Sequence, residues 1–404
     1  MLFRPRNLTI VVVLLVGIVL LFKPPSKIRQ SGSALEYLDT FRSASSEISN
    51  ATLGFQQIFV INLAERTDRR DAFTLAASLT EIDVAWIDGV SGQNVLDKTL
   101  PSDSSGKNIA KGNRGSWRAH MNALQRIVQH NMTSALVLED DADWDVRLKP
   151  QLQVFAQAAK AFTQRTPGRA KQTFAEGLQD HGLKEYSKNI NMLPYVVPPK
   201  LSPYGDKWDV LWLGHCGTDI PTKSSSAAYT TSGLKVTIPD DVTVPTPKHL
   251  KAHPFALQDD LAELYPPHTR VVHASRNTTC TQAYAVSQRG ARKLLYQFGL
   301  QTFTTGWDLM LGDWCDGRYH SQPNVDSTNK GPNPAKLPVC VTVSPPLFSH
   351  HYGKGAASDI TAPGGGFISK GKEMTPYVRL SVRLNMERMV NGAGLEELTD
   401  QWED

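Results

Sequence analysis

Short apolar runs alternate with a helical segment near the start of the chain, and this alternation constrains the fold more than any other feature. Residues 58–61 form a β-branched and aromatic run, residues 68–79 have helical spacing, and residues 84–87 form a second apolar run. A strand–helix–strand unit of this kind places its two strands parallel in one sheet, with a right-handed crossover. Because both runs are continuously apolar, each strand should be buried on both faces. The sequence therefore predicts an α/β fold with a mostly parallel central sheet.

The same pattern continues through the rest of the chain. Ser116 is expected to cap a helix that runs to about His130, and Ser287 is expected to cap a helix that begins at Arg289. Residues 377–390 also have helical spacing. Further strands are predicted at 134–138, 208–214, 271–272 and 283–286, with a helix near 149–163. Two long segments, near 146–207 and 218–268, are predicted to be insertions into the domain.

The composition is that of a globular protein of ordinary charge. The chain has 404 residues, of which 40% are hydrophobic and 20% are charged, and its net charge is +4. A chain of this length can bury a substantial core in one or two domains. The positive charge is small, and no basic stripe with interleaved aromatic residues is present, so the composition argues against a nucleic-acid partner.

The N-terminal segment 8–22 is an apolar run in which only Thr9 and Gly17 are not strongly apolar. It is short for a bilayer-spanning helix, which usually needs about 20 residues. It fits a cleaved signal peptide or a short signal anchor, and the lack of an A-x-A cleavage site favours the anchor. We therefore expect a single-pass type II membrane protein of the Golgi or endoplasmic reticulum. Its expected parts are a cytoplasmic tail at 1–7, a signal-anchor transmembrane helix at 8–22, a stem at 23–53 and a lumenal catalytic domain at 54–404.

Four cysteines and three glycosylation sequons are compatible with a lumenal domain. An even number of cysteines permits two disulfides in three connectivities, although four buried free thiols would fit equally well. No pair has C-x-x-C spacing, which argues against a zinc or redox site. The cysteines are Cys216, Cys280, Cys315 and Cys340, and the sequons begin at Asn50, Asn131 and Asn277.

An acidic cluster follows the apolar run at 134–138 and is the strongest local indication of chemistry. Its acids include Glu139, Asp140, Asp141 and Asp143. A strand of this kind delivers the side chains at its carboxyl end to the edge of the sheet where α/β proteins bind ligands. Adjacent carboxylates repel each other, and a hard divalent cation relieves that repulsion. Mg²⁺ or Mn²⁺ held there could bridge to a diphosphate, although a solvated acidic turn would give the same pattern.

Other side chains that could serve the same site lie near the ends of predicted strands. Arg66 and Arg69 follow the first strand and could bind phosphate groups, with a solvated helix start as the alternative. His350 ends a predicted strand, where a neutral imidazole could complete a carboxylate metal site. Asp308 is flanked by aromatic and apolar residues, which suits a general base or a sugar-hydroxyl acceptor, and it could also cap the following helix.

Six segments of the chain form an ordered set of motifs. They are Ile61-Asn62-Leu63 followed by Arg66, Arg69 and Arg70; residues 112–124 with Gly115, Ser116 and His120; residues 135–141; residues 283–294; Asp308-Leu309-Met310; and Pro345-Pro346-Leu347. The set resembles the motifs of glycosyltransferase family 25, which includes bacterial lipooligosaccharide galactosyltransferases and procollagen galactosyltransferases. The resemblance covers about residues 55–352, and its specificity lies in the order of the motifs.

The resemblance implies a GT-A-like fold, in which an α/β sandwich binds a nucleotide sugar and an acidic motif binds Mn²⁺ or Mg²⁺. It also implies an inverting transfer of a hexose from UDP-galactose or UDP-glucose to a glycan, lipid or protein hydroxyl. Glu139 and Asp141 would form the D-x-D-like pair, although Asp141 and Asp143 also have that spacing. The candidate nucleotide-sugar residues are Asn62, Arg66, Arg69, Asp88, Ser116, His120 and Asp140; the candidate metal ligands are Glu139, Asp141, Asp143 and His350; and Asp308 is the candidate catalytic residue.

Two other functions stay open on the sequence alone. A lumenal binding or adhesion protein could use the same scaffold without activity, since some relatives of this family have lost activity. A Mg²⁺-dependent phosphohydrolase also places a D-x-D motif after a strand, and Asp141 and Asp143 would fit it. That alternative leaves the arginines after the first strand unexplained. The released product separates the three functions. Release of UDP from a UDP-sugar supports the transferase, release of phosphate from monoesters supports the phosphohydrolase, and release of neither supports the binding protein.

Overall fold

The computed structural model describes the chain from residue 46 to its last residue, with gaps. The described residues are 46–104, 108–168, 172–180, 185–221, 232–250, 260–320, 337–353 and 373–404. The predicted tail at 1–7, the predicted anchor at 8–22 and most of the predicted stem lie outside these ranges. Within them, no helix is long and apolar enough to cross a membrane.

Helices and strands are interspersed along the described chain, as expected for an α/β fold. The helices are α1 (Thr67–Leu79), α2 (Lys111–Gln129), α3 (Leu148–Thr163), α4 (Phe174–Asp180), α5 (Asp260–Leu264), α6 (Gln288–Tyr296), α7 (Trp307–Cys315) and α8 (Met386–Val390). The strands are β1 (Gln57–Asn62), β2 (Ala85–Asp88), β3 (Asp103–Ser104), β4 (Ser134–Glu139), β5 (Ala142–Trp144), β6 (Tyr186–Asn189), β7 (Val210–Gly214), β8 (Leu234–Ile238), β9 (Arg270–Ala274), β10 (Ala283–Ser287), β11 (Thr302–Phe303), β12 (Cys340–Ser344) and β13 (Phe348–His350).

Eleven strands form one sheet in which most strands share a direction. Nine of them lie in the order β2-β1-β4-β10-β7-β12-β9-β8-β6, while β5 and β13 pair off this path. Strand β10 runs antiparallel to both of its neighbours, and so does β9. The other neighbouring pairs along the path are parallel. Seven of the nine strands therefore point the same way, which confirms a mostly parallel central sheet.

Both faces of the sheet are buried, which accounts for its continuously apolar strands. In β1, Ile58 and Val60 pack into one core, whereas Phe59 packs into the other. Strand β4 alternates in the same way, with Leu136 in the first core and Val137 in the second. Because β1 and β4 are parallel neighbours, their last residues meet at one edge of the sheet.

Helix α2 begins earlier than the sequence predicts. Its N-cap is Ala110, and Ser116 lies inside the helix, so the predicted capping role of Ser116 is wrong. The first turns of α2 pack against the loop after β2, and this tertiary contact outweighs the local preference of serine for a cap. At α6 the local preference holds: Ser287 is the N-cap, and its side chain accepts a hydrogen bond from Gly290 N over 3.1 Å.

The stretch 377–390 is mostly non-helical despite its helical spacing. Within the predicted stretch, only Met386–Val390 is an α-helix. The residues before it form turns whose hydroxyl and backbone groups bind the carboxylates of Asp143 and Asp145. These hydrogen bonds compete with those of a continuous helix, so buried partners elsewhere in the chain decide the local structure.

The two predicted insertions contribute to the sheet as well as to its surroundings. The first contains α3, α4 and β6, and the described part of the second contains β8. Strand β8 pairs antiparallel with β9, and β6 pairs parallel with β8. These two segments therefore extend one end of the sheet.

The four cysteines form two disulfides, which selects one of the three possible connectivities. The pairs are Cys216–Cys280 and Cys315–Cys340. The side chains that begin the three sequons, Asn50, Asn131 and Asn277, are all exposed.

Candidate functional site

The carboxyl ends of β1 and β4 bring together the candidate residues of both strands. Ile61 of β1 lies opposite Glu139 of β4. Asn62, the last residue of β1, is buried and donates a hydrogen bond from Nδ2 to Asp140 Oδ2 over 2.8 Å. This edge of a parallel sheet is where open α/β folds bind ligands.

A cleft of about 390 Å³ lies at this edge, within the range of about 300–1,000 Å³ that small-molecule sites have. It is formed by the end of β1, the start of α1, the loop after β2, the first half of α2 and residues 139–141. These last residues begin the segment 139–145, called the acidic loop after β4, which runs from the end of β4 through β5. Six of the candidate residues line it: Arg69, Ser116, His120, Glu139, Asp140 and Asp141. Lining side chains that the sequence did not mark include Glu65, Ser91, Gln93 and Lys111.

Two glycines allow the loop after β2 to pack closely against α2. A Cβ atom on Gly115 would lie 2.2 Å from the carbonyl oxygen of Val90. A Cβ atom on Gly92 would lie 1.6 Å from the carbonyl oxygen of Lys111. Both neighbours are backbone atoms, so a side chain at either position would force the cleft wall apart. The glycines therefore set the position of α2, and with it the positions of Ser116 and His120.

Arg69 connects the two middle acids of the cluster. Its Nη1 donates to Asp140 Oδ1 over 2.7 Å and to Asp141 Oδ2 over 2.9 Å. The Arg69 side chain is only 15% exposed, so solvent screens these ion pairs weakly. Charge-assisted hydrogen bonds of this kind are stronger than neutral ones and fix the geometry of both carboxylates.

The two aspartates are protonated with different ease. Burial raises the pKa of Asp140, and the charge of Asp141 adds to this rise against the opposing effect of Arg69. Burial would also raise the pKa of Asp141, but His350, Arg69 and Arg383 together outweigh it and lower the pKa of Asp141. Asp141 is therefore held in its charged form, which is the form that binds a cation.

Asp141 and His350 form the pair that best fits a cation. Asp141 Oδ1 is buried without a hydrogen-bond partner, and His350 Nδ1 lies 3.6 Å from Asp141 Oδ2. In the part of the chain that the structure describes, no three His, Cys, Asp or Glu side chains converge as a complete metal site. Mg²⁺-type cations are commonly held by one or two carboxylates, with substrate phosphates and water as the other ligands. The residues present fit that mode of binding.

His120 lies beside Glu139 and is held by aromatic residues. Its Nδ1 is 2.9 Å from the hydroxyl of Tyr284, and its Nε2 is 3.8 Å from Glu139 Oε1. The imidazole ring stacks on Trp307, with ring centroids 5.4 Å apart. Glu139 also accepts a hydrogen bond from Thr281 Oγ1 over 2.6 Å. Glu139 is thus oriented by different partners from those of Asp140 and Asp141.

Asp308 lies in the first turn of α7, but Gly306 is the N-cap of that helix, so the predicted capping role is wrong. Asp308 Oδ2 accepts a hydrogen bond from the backbone N–H of Cys280 over 3.0 Å, next to the Cys216–Cys280 disulfide. Burial raises the pKa of Asp308, and the charge of Glu139 adds to the rise. Asp308 does not line the cleft itself, and Glu139 links it electrostatically to that site.

Arg66 and Asp88 are not among the residues that line the cleft. Arg66 donates from Nε and Nη2 to the carboxylate of Asp68 over 2.9 and 2.8 Å. This contact lowers the pKa of Asp68 to about 2. Asp88 is exposed at the end of β2, in register with Asn62 of β1. This pairing at the start of α1 fits the alternative in which Arg66 belongs to a solvated helix start.

Asp143 is fully buried and does not line the cleft. Its Oδ2 accepts hydrogen bonds from Thr375 Oγ1, over 2.6 Å, and from Ser381 Oγ. Its Oδ1 accepts from the backbone N–H groups of Trp144 and Arg383, over 2.8 and 3.2 Å. Protein donors thus occupy both oxygens, and the structure does not bring Asp143 to the candidate metal pair.

Arg383 is the clearest residue that sequence reasoning missed. Its Nη2 donates to the carbonyl oxygen of Asp140 over 2.6 Å, and its Nε donates to that of Ala142 over 3.2 Å. The guanidinium carbon lies 5.6 Å from the centroid of the Phe73 ring. No local motif surrounds Arg383, and the only sequence signal was the basic character of residues 377–390.

Comparison with known proteins places the site in a family context. The model of glycosyltransferase family 25 (LPS biosynthesis protein) matches residues 55–218. Procollagen galactosyltransferase 1 of Danio rerio is 32% identical over 120 residues, which are 27% of this chain and 20% of that protein. Inactive glycosyltransferase 25 family member 3 of Homo sapiens is 30% identical over 114 residues, which are 25% of this chain and 19% of that protein.

The matched part is small in the relatives but contains much of the site. The chain spans about a fifth of the length of these two curated relatives, at 20% and 19%. The family match at 55–218 includes Arg69, the first half of α2 and the acidic loop after β4. The relatives include galactosyltransferases and proteins described as inactive. The resemblance drawn from the sequence is thus confirmed over residues 55–218, where this chain is homologous to members of glycosyltransferase family 25.

Proposed function

We propose that this chain is a metal-dependent inverting glycosyltransferase with a GT-A-like fold. It transfers galactose or glucose from a UDP-sugar to a hydroxyl group of a glycan, a lipid or a protein. The observation that carries this proposal is the ion-paired group at the carboxyl edge of the sheet. There, Arg69 holds Asp140 and Asp141 at 2.7 and 2.9 Å beside a cleft of about 390 Å³.

The metal part of the proposal rests on Asp141 and His350. Asp141 presents a buried oxygen without a hydrogen-bond partner, and His350 Nδ1 lies 3.6 Å from its other oxygen. Bound Mn²⁺ or Mg²⁺ would stabilise the negative charge of the departing diphosphate. Arg69 keeps the carboxylates oriented, and the cationic Lys111 on the cleft wall is available to a phosphate group.

Asp308 is the proposed general base for the acceptor hydroxyl. Its raised pKa brings it closer to the range in which a carboxylate can accept a proton during a reaction. The backbone N–H of Cys280 fixes one of its oxygens, and its neighbour Trp307 stacks on His120 of the cleft. An inverting transfer needs one such base on the acceptor side of the sugar.

The proposed compartment is the lumen of the Golgi or endoplasmic reticulum, with the chain anchored as a type II membrane protein. The two disulfides support an oxidising compartment, where such bonds form and persist. The exposed asparagines of the three sequons support the same compartment. The galactosyltransferases among the relatives support galactose as the donor sugar.

A catalytically inactive binding protein is the second candidate. The relatives include proteins described as inactive. A phosphohydrolase has less support, because Asp143 is enclosed by protein donors and is not available as a second acid at the cleft.

The full chain should be incubated with UDP-galactose and UDP-glucose, with MnCl₂ or with EDTA, and UDP release should be measured. The proposal expects slow release from one UDP-sugar in MnCl₂ and none in EDTA. Binding of UDP without turnover of either sugar, in the presence of acceptor glycans and peptides, would favour the inactive binding protein. Phosphate release from monoesters without UDP binding would favour the hydrolase.

A further inference from the structure

The C-terminal segment 373–404 lies outside the matched family region and contacts the acidic loop from the side of its buried acids. Thr375 and Ser381 donate their hydroxyl groups to Asp143. The backbone N–H of Leu380 donates to Asp145 Oδ2 over 3.0 Å. The segment therefore binds the side chains of Asp143 and Asp145, which point to the same side because side chains alternate along an extended chain.

Arg383 extends this contact to the backbone of the loop. Its guanidinium reaches the carbonyl oxygens of Asp140 and Ala142, over 2.6 and 3.2 Å, on either side of Asp141. Its own backbone N–H donates to Asp143 Oδ1. A planar guanidinium that bridges two carbonyl groups fixes the peptide units between them, which a single point charge cannot do. The peptide carbonyl of Asp141 is fixed as well, because it accepts a hydrogen bond from His351 N over 2.9 Å.

Hydrogen bonds between its own residues hold the parts of the segment together. Gln401 donates to the carbonyl oxygen of Val378 over 2.6 Å, and Trp402 Nε1 donates to that of Thr375 over 3.1 Å. Asn385 is fully buried and hydrogen-bonds to Ser381 and Thr399. A segment held at several points can transmit a fixed geometry to the loop that it contacts.

We propose that the segment 373–404 is a clamp that sets the position of Asp141 for cation binding, with Arg383 as its positioning residue. The clamp holds the acidic loop by its buried acids and its carbonyl groups, and so leaves the carboxylates of Asp140 and Asp141 directed to the cleft. The cation-binding part of this proposal rests on the proposed function. The positioning part rests on the contacts alone.

The test compares Arg383→Ala with Arg388→Ala in the full chain. Arg388 lies in the same segment, is exposed and donates only a long hydrogen bond of 3.4 Å to the carbonyl oxygen of Glu397, so it is a matched control. Amide hydrogen exchange without ligand should become roughly tenfold faster in peptides that cover 139–145 for Arg383→Ala, because buried charge-assisted hydrogen bonds are lost. Arg388→Ala should match the wild type. Equal exchange in all three proteins would overturn the clamp.

The second readout is the affinity for Mn²⁺ in the presence of UDP, measured by calorimetry. Arg383→Ala should weaken it roughly 10- to 100-fold, the usual effect of removing a residue that orients a metal ligand. Added guanidinium should restore part of the affinity to Arg383→Ala and none to Asp141→Asn. A purely structural loss would not recover in this way, and a lack of rescue would contradict the positioning role.

Two outcomes separate this proposal from the proposed function. If wild-type protein binds no UDP with Mn²⁺ but exchange at 139–145 still rises in Arg383→Ala, the function fails and the positioning role stands. If Arg383→Ala does not fold, Arg383→Lys takes its place, since lysine keeps the charge but not the bridge between two carbonyl groups. If Arg383→Lys shows the amide hydrogen exchange and the Mn²⁺ affinity of the wild-type protein, the proposal is overturned.

Discussion

The acidic loop after β4 has two halves with different surroundings. Glu139, Asp140 and Asp141 line the cleft, and Arg69 pairs with two of them. Asp143 and Asp145 are fully buried, and groups of the C-terminal segment or neighbouring residues occupy their oxygens. The comparison shows that neighbouring acidic residues in one loop do not form a single ligand-binding site. The partners available on each side of the loop decide which carboxylates can bind a ligand and which hold the fold.

The largest effect should follow from removing the buried half. Asp143→Ala leaves the hydroxyls of Thr375 and Ser381 and two backbone N–H groups without their acceptor. We expect the free energy of unfolding to fall by about 4 kcal/mol or more, since each of the four buried donors left without a partner costs about 1–3 kcal/mol. Urea denaturation measures this. Asp71→Ala, which removes an exposed carboxylate of α1, is the control and should change stability by less than about 0.5 kcal/mol. A loss no larger than that of the control would place Asp143 outside the structural half.

The cleft-facing half should show the opposite behaviour. Asp141→Asn keeps the shape of the side chain but removes the charge proposed to bind the cation. We expect Mn²⁺-dependent UDP affinity to fall about 100-fold, or about 2.7 kcal/mol, while the free energy of unfolding changes by less than about 1 kcal/mol. Calorimetry and urea denaturation measure the two quantities, with Asp71→Asn as control. Unchanged affinity, or a loss of stability as large as that of Asp143→Ala, would remove the distinction between the halves.

A smaller effect is expected when the cleft wall is moved and its charges are kept. Gly115→Ala places a Cβ 2.2 Å from the carbonyl oxygen of Val90 and must shift α2 or the loop after β2. We expect about 1–3 kcal/mol of lost stability and weaker UDP binding. Gly299→Ala is the control, because its nearest neighbour is the flexible end of Leu295 at 3.1 Å. If both variants bind UDP as the wild type does, the glycine contact does not shape the site.

The smallest effect tests the electrostatic link between Glu139 and Asp308. Burial and the Glu139 charge both raise the pKa of Asp308. A base with a raised pKa loses activity as the pH falls through that pKa. Glu139→Gln removes one cause, so the acid limb of the pH–rate profile should move to lower pH. A profile that does not move, or that moves to higher pH, would show that Asp308 does not set this limb.

Much of the fold follows from the sequence because strand and helix periodicity is local. The strands at β1, β2, β4 and β10 and the helices α1 and α3 lie where the apolar patterns predict them. The start of α2 and the form of residues 373–385 do not, because Gly115 and the buried acids Asp143 and Asp145 determine them through contacts distant in sequence.

The candidate site was predictable only in part, for the same reason. Arg69, Ser116, His120 and the acids at 139–141 converge as the ordered motifs suggested. Spacing alone could not choose between Asp141 and Asp143, since both follow the same strand. That choice depends on Thr375, Ser381 and Arg383, which lie more than 230 residues later in the chain.

The most direct measurement is the position of manganese in crystals of the full chain grown with Mn²⁺ and UDP, located by its anomalous scattering. The account predicts one peak in the cleft, at roughly 2.1 Å from an oxygen of Asp141, with a UDP phosphate as a further ligand. It also predicts that the hydrogen bonds of Asp143 to Thr375 and Ser381 stay in place. A peak beside Asp143 or Asp145, or bound UDP with no manganese at Asp141, would contradict the account.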